Sequence, residues 1–389
     1  MMNKLNILFV DDDSNIIQGL KRMLYSSKDK WNLYFALSGQ QALDILKEES
    51  IDIVITDMRM PEIDGAMLLR AIRDLYPHIV RIILSGYSEL ETSMSASGTA
   101  HQFLAKPSSA EAIKVTIENI SRMRENLNNK DLYKLISSID KLPSLPELYL
   151  RLEEEIGSQD VSMKKISEII EQDVAMSAKM LQIVNSAFFG MTQKIVTPSQ
   201  AVNLLGLEVL KSLILFVKIF SSLKVSPGVD ISSFWTHSIT VGRTARQIVR
   251  LWGLNNGAKD EAFTGGILHD LGKLVLLQIP GYYDDVKEKM KSEKISFYAA
   301  ENALYGTTHA EAGAYLLSLW GLPVNLVTIV AYHHLPSMSL YETFSPLTAV
   351  HLADHFDGSA ELDNRHIELI GNKEKIDALI NNKEAVLKA

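Results

Sequence analysis

The chain has 389 residues, a length that points to two or three domains, and its 47% apolar content supplies real cores and excludes a disordered chain. A formal net charge of −8, with no block rich in lysine and arginine, leaves no electrostatic footprint for nucleic acid. There is no cysteine, which excludes disulfides and thiol chemistry and fits a cytoplasmic protein.

The opening stretch MMNKLNILFVDDD meets acids straight after a short apolar run, unlike a secretory signal. LNILFV (Leu5–Val10) reads as a strand, followed by strands at LYFAL (Leu33–Leu37), DIVIT (Asp52–Thr56), VRIILS (Val80–Ser85) and HQFLA (His101–Ala105). Helical patterns lie between them, as in QQALDILKEE (Gln40–Glu49) and GAMLLRAIRDLY (Gly65–Tyr76). Such alternation predicts a doubly wound α/β domain on a five-stranded parallel sheet, with its site at the carboxyl ends of the strands. Those ends carry Asp11-Asp12-Asp13, Asp57, Ser85-Gly86 and Lys106-Pro107. Clustered carboxylates repel one another unless a cation joins them, and oxygen ligands suit Mg²⁺. A hydroxyl and a lysine beside them suit a phosphoryl group.

The pieces FVDDD, VITDMRMPEIDG, ILSGYSE and FLAKP resemble a two-component receiver domain, taken here as residues 1–122. The resemblance implies that Asp57 accepts a phosphoryl group from a sensor histidine kinase. It also implies that Asp11, Asp12 and Asp57 hold Mg²⁺, that Ser85 and Lys106 contact the phosphoryl oxygens, and that Phe103 is the aromatic switch. Arg59 and Tyr87 lie where receivers tune phosphate lifetime.

From Ser108 to about Ser138 the chain reads as one long helix, capped by Ser108 with Glu111 three residues on. Ile113, Ile117, Ile120 and Leu127 share a face that Arg124 interrupts, so a long coiled coil is not expected, although a homodimer through this helix is one reading. Residues 123–138 are taken as a helical linker.

Beyond it, residues 139–389 read as all-α. Helical segments open at LPSLPELYLRL and recur at MKKISEIIEQ, AMSAKMLQIVN, Leu204–Phe220, ITVGRTARQIVRLW, GGILHDLGKLVLLQ and AEAGAYLLSLWG. Leu204–Phe220 contains Glu208, Lys211 and Lys218 and is read as a buried helix, so no membrane span is expected. Met176, Met180, Phe188 and Phe189 read as helix core, and Asn185 and Ser186 as structural polar groups. The stretch GGILHDLGKLVLLQ puts His269 and Asp270 inside an apolar run, where a carboxylate needs a partner or an ion. Four further segments carry ligand-type side chains on or beside an apolar face: His237, opening a helix; His309; His333-His334; and Asp354. Helical bundles build metal sites this way. Mixed imidazole and carboxylate ligands suit Fe, Mn or Zn.

This series resembles the HD metal-dependent phosphohydrolase superfamily. LPSLPELY, DVAMSAKMLQIVNSAFFG, QAVNLLGLEVLKSL and GILHDLGKLVLL resemble, more narrowly, an HDOD domain, the HD-related output domain. The superfamily pattern implies that His237, His269, Asp270 and Asp354 hold one ion and that Asp270, His309, His333 and His334 hold a second. It implies catalytic roles, in an active domain, for Asp270 and for Lys273, which would meet a substrate phosphate. The chain departs from the HD-GYP phosphodiesterases: HHLPSMSLYETF follows the histidine pair, Pro280-Gly281-Tyr282 is the only similar triplet, and Ser233 stands where some members place a third-metal glutamate. His351 and His355 flank Asp354 and are left out of the ligand set. The chain is read as a two-component response regulator whose output is a module that binds a protein target, the alternative being a phosphohydrolase acting on a nucleotide or other phosphoester.

Overall fold

The computed structural model describes residues 4–85, 99–106, 110–127, 130–139, 146–158, 160–185, 194–217 and 230–388. Gly86, Tyr87, Pro107, Ser108, Ser186, Phe188, Phe189 and residues 142–145 lie outside them, as does the side chain of Ser85.

Five strands, β1 (Leu5–Val10), β2 (Trp31–Ala36), β3 (Ile53–Asp57), β4 (Val80–Ser85) and β5 (Gln102–Ala105), form one parallel sheet in the order β2-β1-β3-β4-β5. β1 and β3 are apolar on both faces because helices cover both sides. Edge strand β2 begins at Trp31, two residues before the apolar run suggests, because Trp31 pairs with Leu5. Asp13, Ser38 and Asp64 cap the helices Ser14–Met23, Gly39–Glu48 and Gly65–Leu75, each accepting a backbone N–H of the first turn. Parallel pairing brings every strand's carboxyl end to one edge, where Asp11, Asp57 and Lys106 meet.

The connector is two helices, not the single one expected: Ala110–Asn126 and Lys130–Ser137. The sequence around the break, Asn126-Leu127-Asn128-Asn129, holds three weak helix formers. Arg124, expected to interrupt an apolar stripe, pairs with Asp52 at 2.9 Å and covers the Tyr133 ring. Ile113, Ile117, Ile120 and Leu127 are buried, and both connector helices pack on the His309–Leu319 helix of the same chain.

The rest of the described chain is helical. Of the helix expected at Leu204–Phe220, the described residues, as far as Val217, belong to an element, Pro198–Val217, that breaks at Gly206 (φ 70°, ψ 167°), and Lys218 and Phe220 lie outside the described residues. The helix carrying His237 begins earlier than expected, at Ile231, with Asp230 as its cap. Met176 and Met180 are buried in the core, and the Asn185 amide bonds Leu181 O, Ile195 O and Ile195 N. Among the described residues no helix is long and apolar enough to cross a membrane.

Sheet and helices meet at a polar seam. His101 Nδ1 accepts the Arg81 backbone N–H at 2.9 Å, so its Nε2 carries the proton and donates to Ser137 O at 2.7 Å. Gln182 donates to His101 O, and Ser137 Oγ lies 3.1 Å from the Tyr315 hydroxyl. Burial and the Arg81 guanidinium hold His101 well below the usual imidazole range.

Candidate functional site

At the sheet edge, Asp11 and Asp57 are buried and Asp12 is exposed, and oxygens of all three lie within 4.8 Å of one another. Lys106 Nζ reaches Asp57 Oδ1 at 2.5 Å and Asp11 Oδ2 at 3.0 Å. Burial and the Asp11 charge push the Asp57 carboxyl up, while Lys106 pulls it down. Phe103 sits on β5 opposite Ile83, with its ring in the core under this edge. The Ser85 backbone pairs with Ala105, which sets it at the same edge.

The second cluster lies in the helical half, where six helices or their ends contribute. His269 and Asp270 do not share a helix. They form the junction between Asn256–Leu268 and Leu271–Leu276, where the chain leaves helical geometry at Asp270. The turn aims both side chains into one space. Gly272 makes the arrangement fit, because a Cβ there would collide with the His309 carbonyl. His237 enters from Ile231–Trp252, His309 from the first turn of His309–Leu319, His333 from the end of Val324–Tyr332 and Asp354 from Pro346–Asp357.

Two lobes result, with Asp270 between them. In one, His237 Nε2 and His269 Nε2 are 3.1 Å apart, and Asp354 Oδ1 is 3.4 Å and 3.7 Å from them. In the other, His309 Nε2 is 3.3 Å from His333 Nε2 and 2.9 Å from His334 Nε2. Asp270 Oδ2 faces the first lobe, 3.4 Å from His237 and 3.5 Å from His269. Its Oδ1 faces the second, 3.1 Å from His309 and 3.9 Å from His333. Lys273 Nζ bonds Asp270 Oδ2 at 2.5 Å and lies over the Phe297 ring.

The outer nitrogens explain why the inner ones converge. His269 Nδ1 donates to Gly266 O and His333 Nδ1 to Val330 O. His237 Nδ1 donates to Asp357 Oδ2 at 2.6 Å, and His309 Nδ1 to Glu301 Oε2 at 2.6 Å. With Nδ1 so engaged, each neutral ring turns a lone pair inward. Facing lone pairs at about 3 Å repel unless a proton or a metal ion lies between them. Although burial opposes the charge, Asp270, Asp354 and Asp357 lift His237 to about 9, and Glu301 and Asp270 lift His309 to about 9. Burial instead holds His269, His333 and His334 low. In each lobe one ring is thus biased toward its charged form and its neighbours toward the neutral one. Asp270 Oδ1 and Asp354 Oδ1 are buried without a well-formed hydrogen bond, with imidazole nitrogens 3.1 Å and 3.4 Å away, an arrangement in which both oxygens could turn to a metal. The donor set, imidazole nitrogen with carboxylate oxygen, suits Fe, Mn or Zn.

A cavity of about 410 Å³ opens onto the first lobe, lined by Phe234, His237, Asp270, Lys273, Tyr283 and Phe297, among others. Ser233 lies on its wall, and its hydroxyl donates to Asp230 O. His351 faces away from both lobes. It donates to His333 O at 2.7 Å and accepts from Asp363 N. His355 donates to Ala360 O.

Sequence reasoning missed Glu301 and Asp357. Asp357 sits three residues after Asp354 on the same helix, a spacing that was available. Glu301 interrupts the small apolar run AAENALY, and an acid in such a run is a sign of a buried partner.

The sheet with its acid edge, joined to a helical half with a histidine–aspartate cluster, defines a response regulator with an HD-type output. The HDOD domain profile matches residues 142–336, half of the chain, and the response regulator receiver domain profile matches residues 7–118. The chain belongs to the HDOD family and carries a receiver domain ahead of that output. A Treponema pallidum protein described as uncharacterized is 29% identical over 197 residues, 50% of this chain and 38% of that protein. Transcriptional regulatory protein ZraR of Escherichia coli is 36% identical over 117 residues, 30% of this chain and 26% of ZraR. The chain therefore spans well under half of either relative. The solved MmoQ response regulator of Methylococcus capsulatus is similar at TM-score 0.48 and 22% identity, covering 64% of this chain and 98% of MmoQ.

Proposed function

We propose that this response regulator is phosphorylated on Asp57 by a histidine kinase, with Mg²⁺ held by Asp11, Asp12 and Asp57, and controls a two-ion phosphohydrolase centre in its HDOD output. The observation that carries the second part is the convergence of five imidazole Nε2 atoms on the unbonded oxygens of Asp270 and Asp354. His237, His269 and Asp354 would hold one ion and His309, His333 and His334 the other, with Asp270 shared. Bound there, Fe, Mn or Zn would supply charge for phosphoryl oxygens and an activated water. The chain's own groups do the rest. Lys273, at the cavity wall, shifts from Asp270 toward a substrate phosphate. Phe234, Tyr283 and Phe297 exclude water and offer ring faces to the ester group.

A second reading has its own observation. Directly after His333-His334 the chain exposes Leu335, Met338 and Leu340, the last at 95%. Such a knuckle suits a protein target, and then the cluster fixes its shape.

Elemental analysis of protein purified without chelator, beside Asp270→Ala, separates the two. About two Fe, Mn or Zn per chain, lost in the variant, together with turnover of a generic phosphodiester, supports the enzyme. Absence of metal from well-folded wild type overturns it in favour of the docking module.

A further inference from the structure

The two lobes are tied down differently, and the difference has a consequence for how ions occupy them. In the lobe of His309, one carboxylate oxygen grips the residue twice. Glu301 Oε2 accepts both the His309 Nδ1–H at 2.6 Å and the His309 backbone N–H at 3.0 Å. Glu301 Oε1 accepts the Tyr282 hydroxyl. Glu301, His309 and His333 are all fully buried, so no water competes for these bonds. The neighbouring ligand is braced as well: His333 Nδ1 bonds Val330 O, and His351 holds the His333 carbonyl.

Each lobe has one partly exposed ring, His237 in one and His334 in the other, but only the lobe of His237 opens onto the cavity. His237 and its partner Asp357 both line the 410 Å³ cavity, and their side chains are 14% and 35% exposed. Neither His309, His333 nor His334 lines that cavity. An ion leaves when water enters its shell and a ligand swings away. A ring fixed by a buried carboxylate resists that motion, whereas a ring fixed by a rim carboxylate, competing with solvent, does not.

We propose that the two ion positions are unequal. The inner one, between Asp270, His309, His333 and His334, fills first and exchanges slowly. The outer one, between His237, His269, Asp354 and Asp270, fills last, exchanges readily and faces the substrate. Glu301 and Asp357 are the positioning residues that set this order. The inference rests on the two-ion reading above, but its test needs no turnover.

Full-length protein stripped with chelator is titrated with Co²⁺, whose visible absorption reports its ligands, and is then challenged with EDTA. Wild type takes up one Co²⁺ tightly and a second weakly, and EDTA removes one fast and one slowly. Glu301→Gln weakens the tight step by about 10–100-fold and leaves the weak step. Asp357→Asn weakens only the weak step. Tyr282→Phe, which removes one donor to Glu301, moves the tight step in the same direction by less. Glu301→Asp, which keeps the charge, restores part of it, so a folding defect in Glu301→Gln is distinguished. Two equal steps in wild type, or a Glu301→Gln effect on the weak step, overturn the inequality while leaving the two-ion reading standing. No Co²⁺ in wild type overturns both.

Discussion

At the sheet edge, Lys106 reaches from the end of β5, past β4, into a cluster of aspartates after β1 and at the end of β3, where the other polar atoms are carboxylate oxygens. In the helical half, Asp270 and Asp354 are ringed by five imidazoles, and Lys273 touches only one side of Asp270. The first cluster opens to water through Asp12, while the second keeps most of its ligands buried. A solvent-facing group of oxygens suits a hard ion that keeps its own waters and comes and goes with a phosphoryl group. A buried group of nitrogens and oxygens suits a transition metal held for the life of the fold. On the proposed function, the same electrostatic demand, a cation among crowded acids, would be met by a transient ion in the input and a resident one in the output.

The largest expected effect separates the clusters outright. Asp57→Asn should abolish phosphoryl uptake from a small acyl-phosphate donor, read on a Phos-tag gel, and leave the metal content of the output unchanged. A loss of metal in that variant would break the comparison.

The seam tests whether the two halves titrate together. His101 is held below the ordinary imidazole value of 6.5 by burial and by the Arg81 and Lys179 charges. The unfolded chain takes up that proton below about 6.5 and the folded one does not. Its contribution is therefore present above 6.5 and falls as the pH drops, by at most about 1.4 kcal/mol per pH unit. Thermal melting between pH 7 and 5 should show wild type falling more steeply than His101→Gln. Parallel curves would assign the acid sensitivity elsewhere.

A smaller effect sharpens the view of Lys106 as a built-in cation. Lys106→Ala should cost about 1–2 kcal/mol in Mg²⁺-free buffer, since the pair is only partly exposed. Saturating Mg²⁺ should recover most of it, which urea unfolding would read. Equal losses with and without Mg²⁺ would mean that the lysine and the ion do not share a role.

The smallest concerns how closely the halves approach. Gly321 has φ +69°, and a Cβ there would lie 2.7 Å from Gln102 Nε2 on β5. Gly321→Ala should cost about 1 kcal/mol and lower the melting temperature by a few degrees. No change would mean that this contact is slack.

Much of this was legible in the chain itself. Period-two and period-3.6 patterns, with acids at strand ends, set the sheet, its parallel order and the helical half, because burial of apolar faces is a local, periodic constraint. The side chains that converge in the helical half were legible too, since His237, His269, Asp270, His309, His333, His334 and Asp354 interrupt apolar faces where a polar group needs a reason. Periodicity did not show that the connector breaks at Leu127, or that His269 and Asp270 lie at a helix junction, because a single turn leaves the apolar pattern almost unchanged. Nor did it show the division into two lobes, the grip of Glu301 on His309, the openness of His237 beside Asp357, or the seam through His101. Those depend on distances between residues far apart in sequence, and only tertiary packing sets which atoms share a space from which water is excluded.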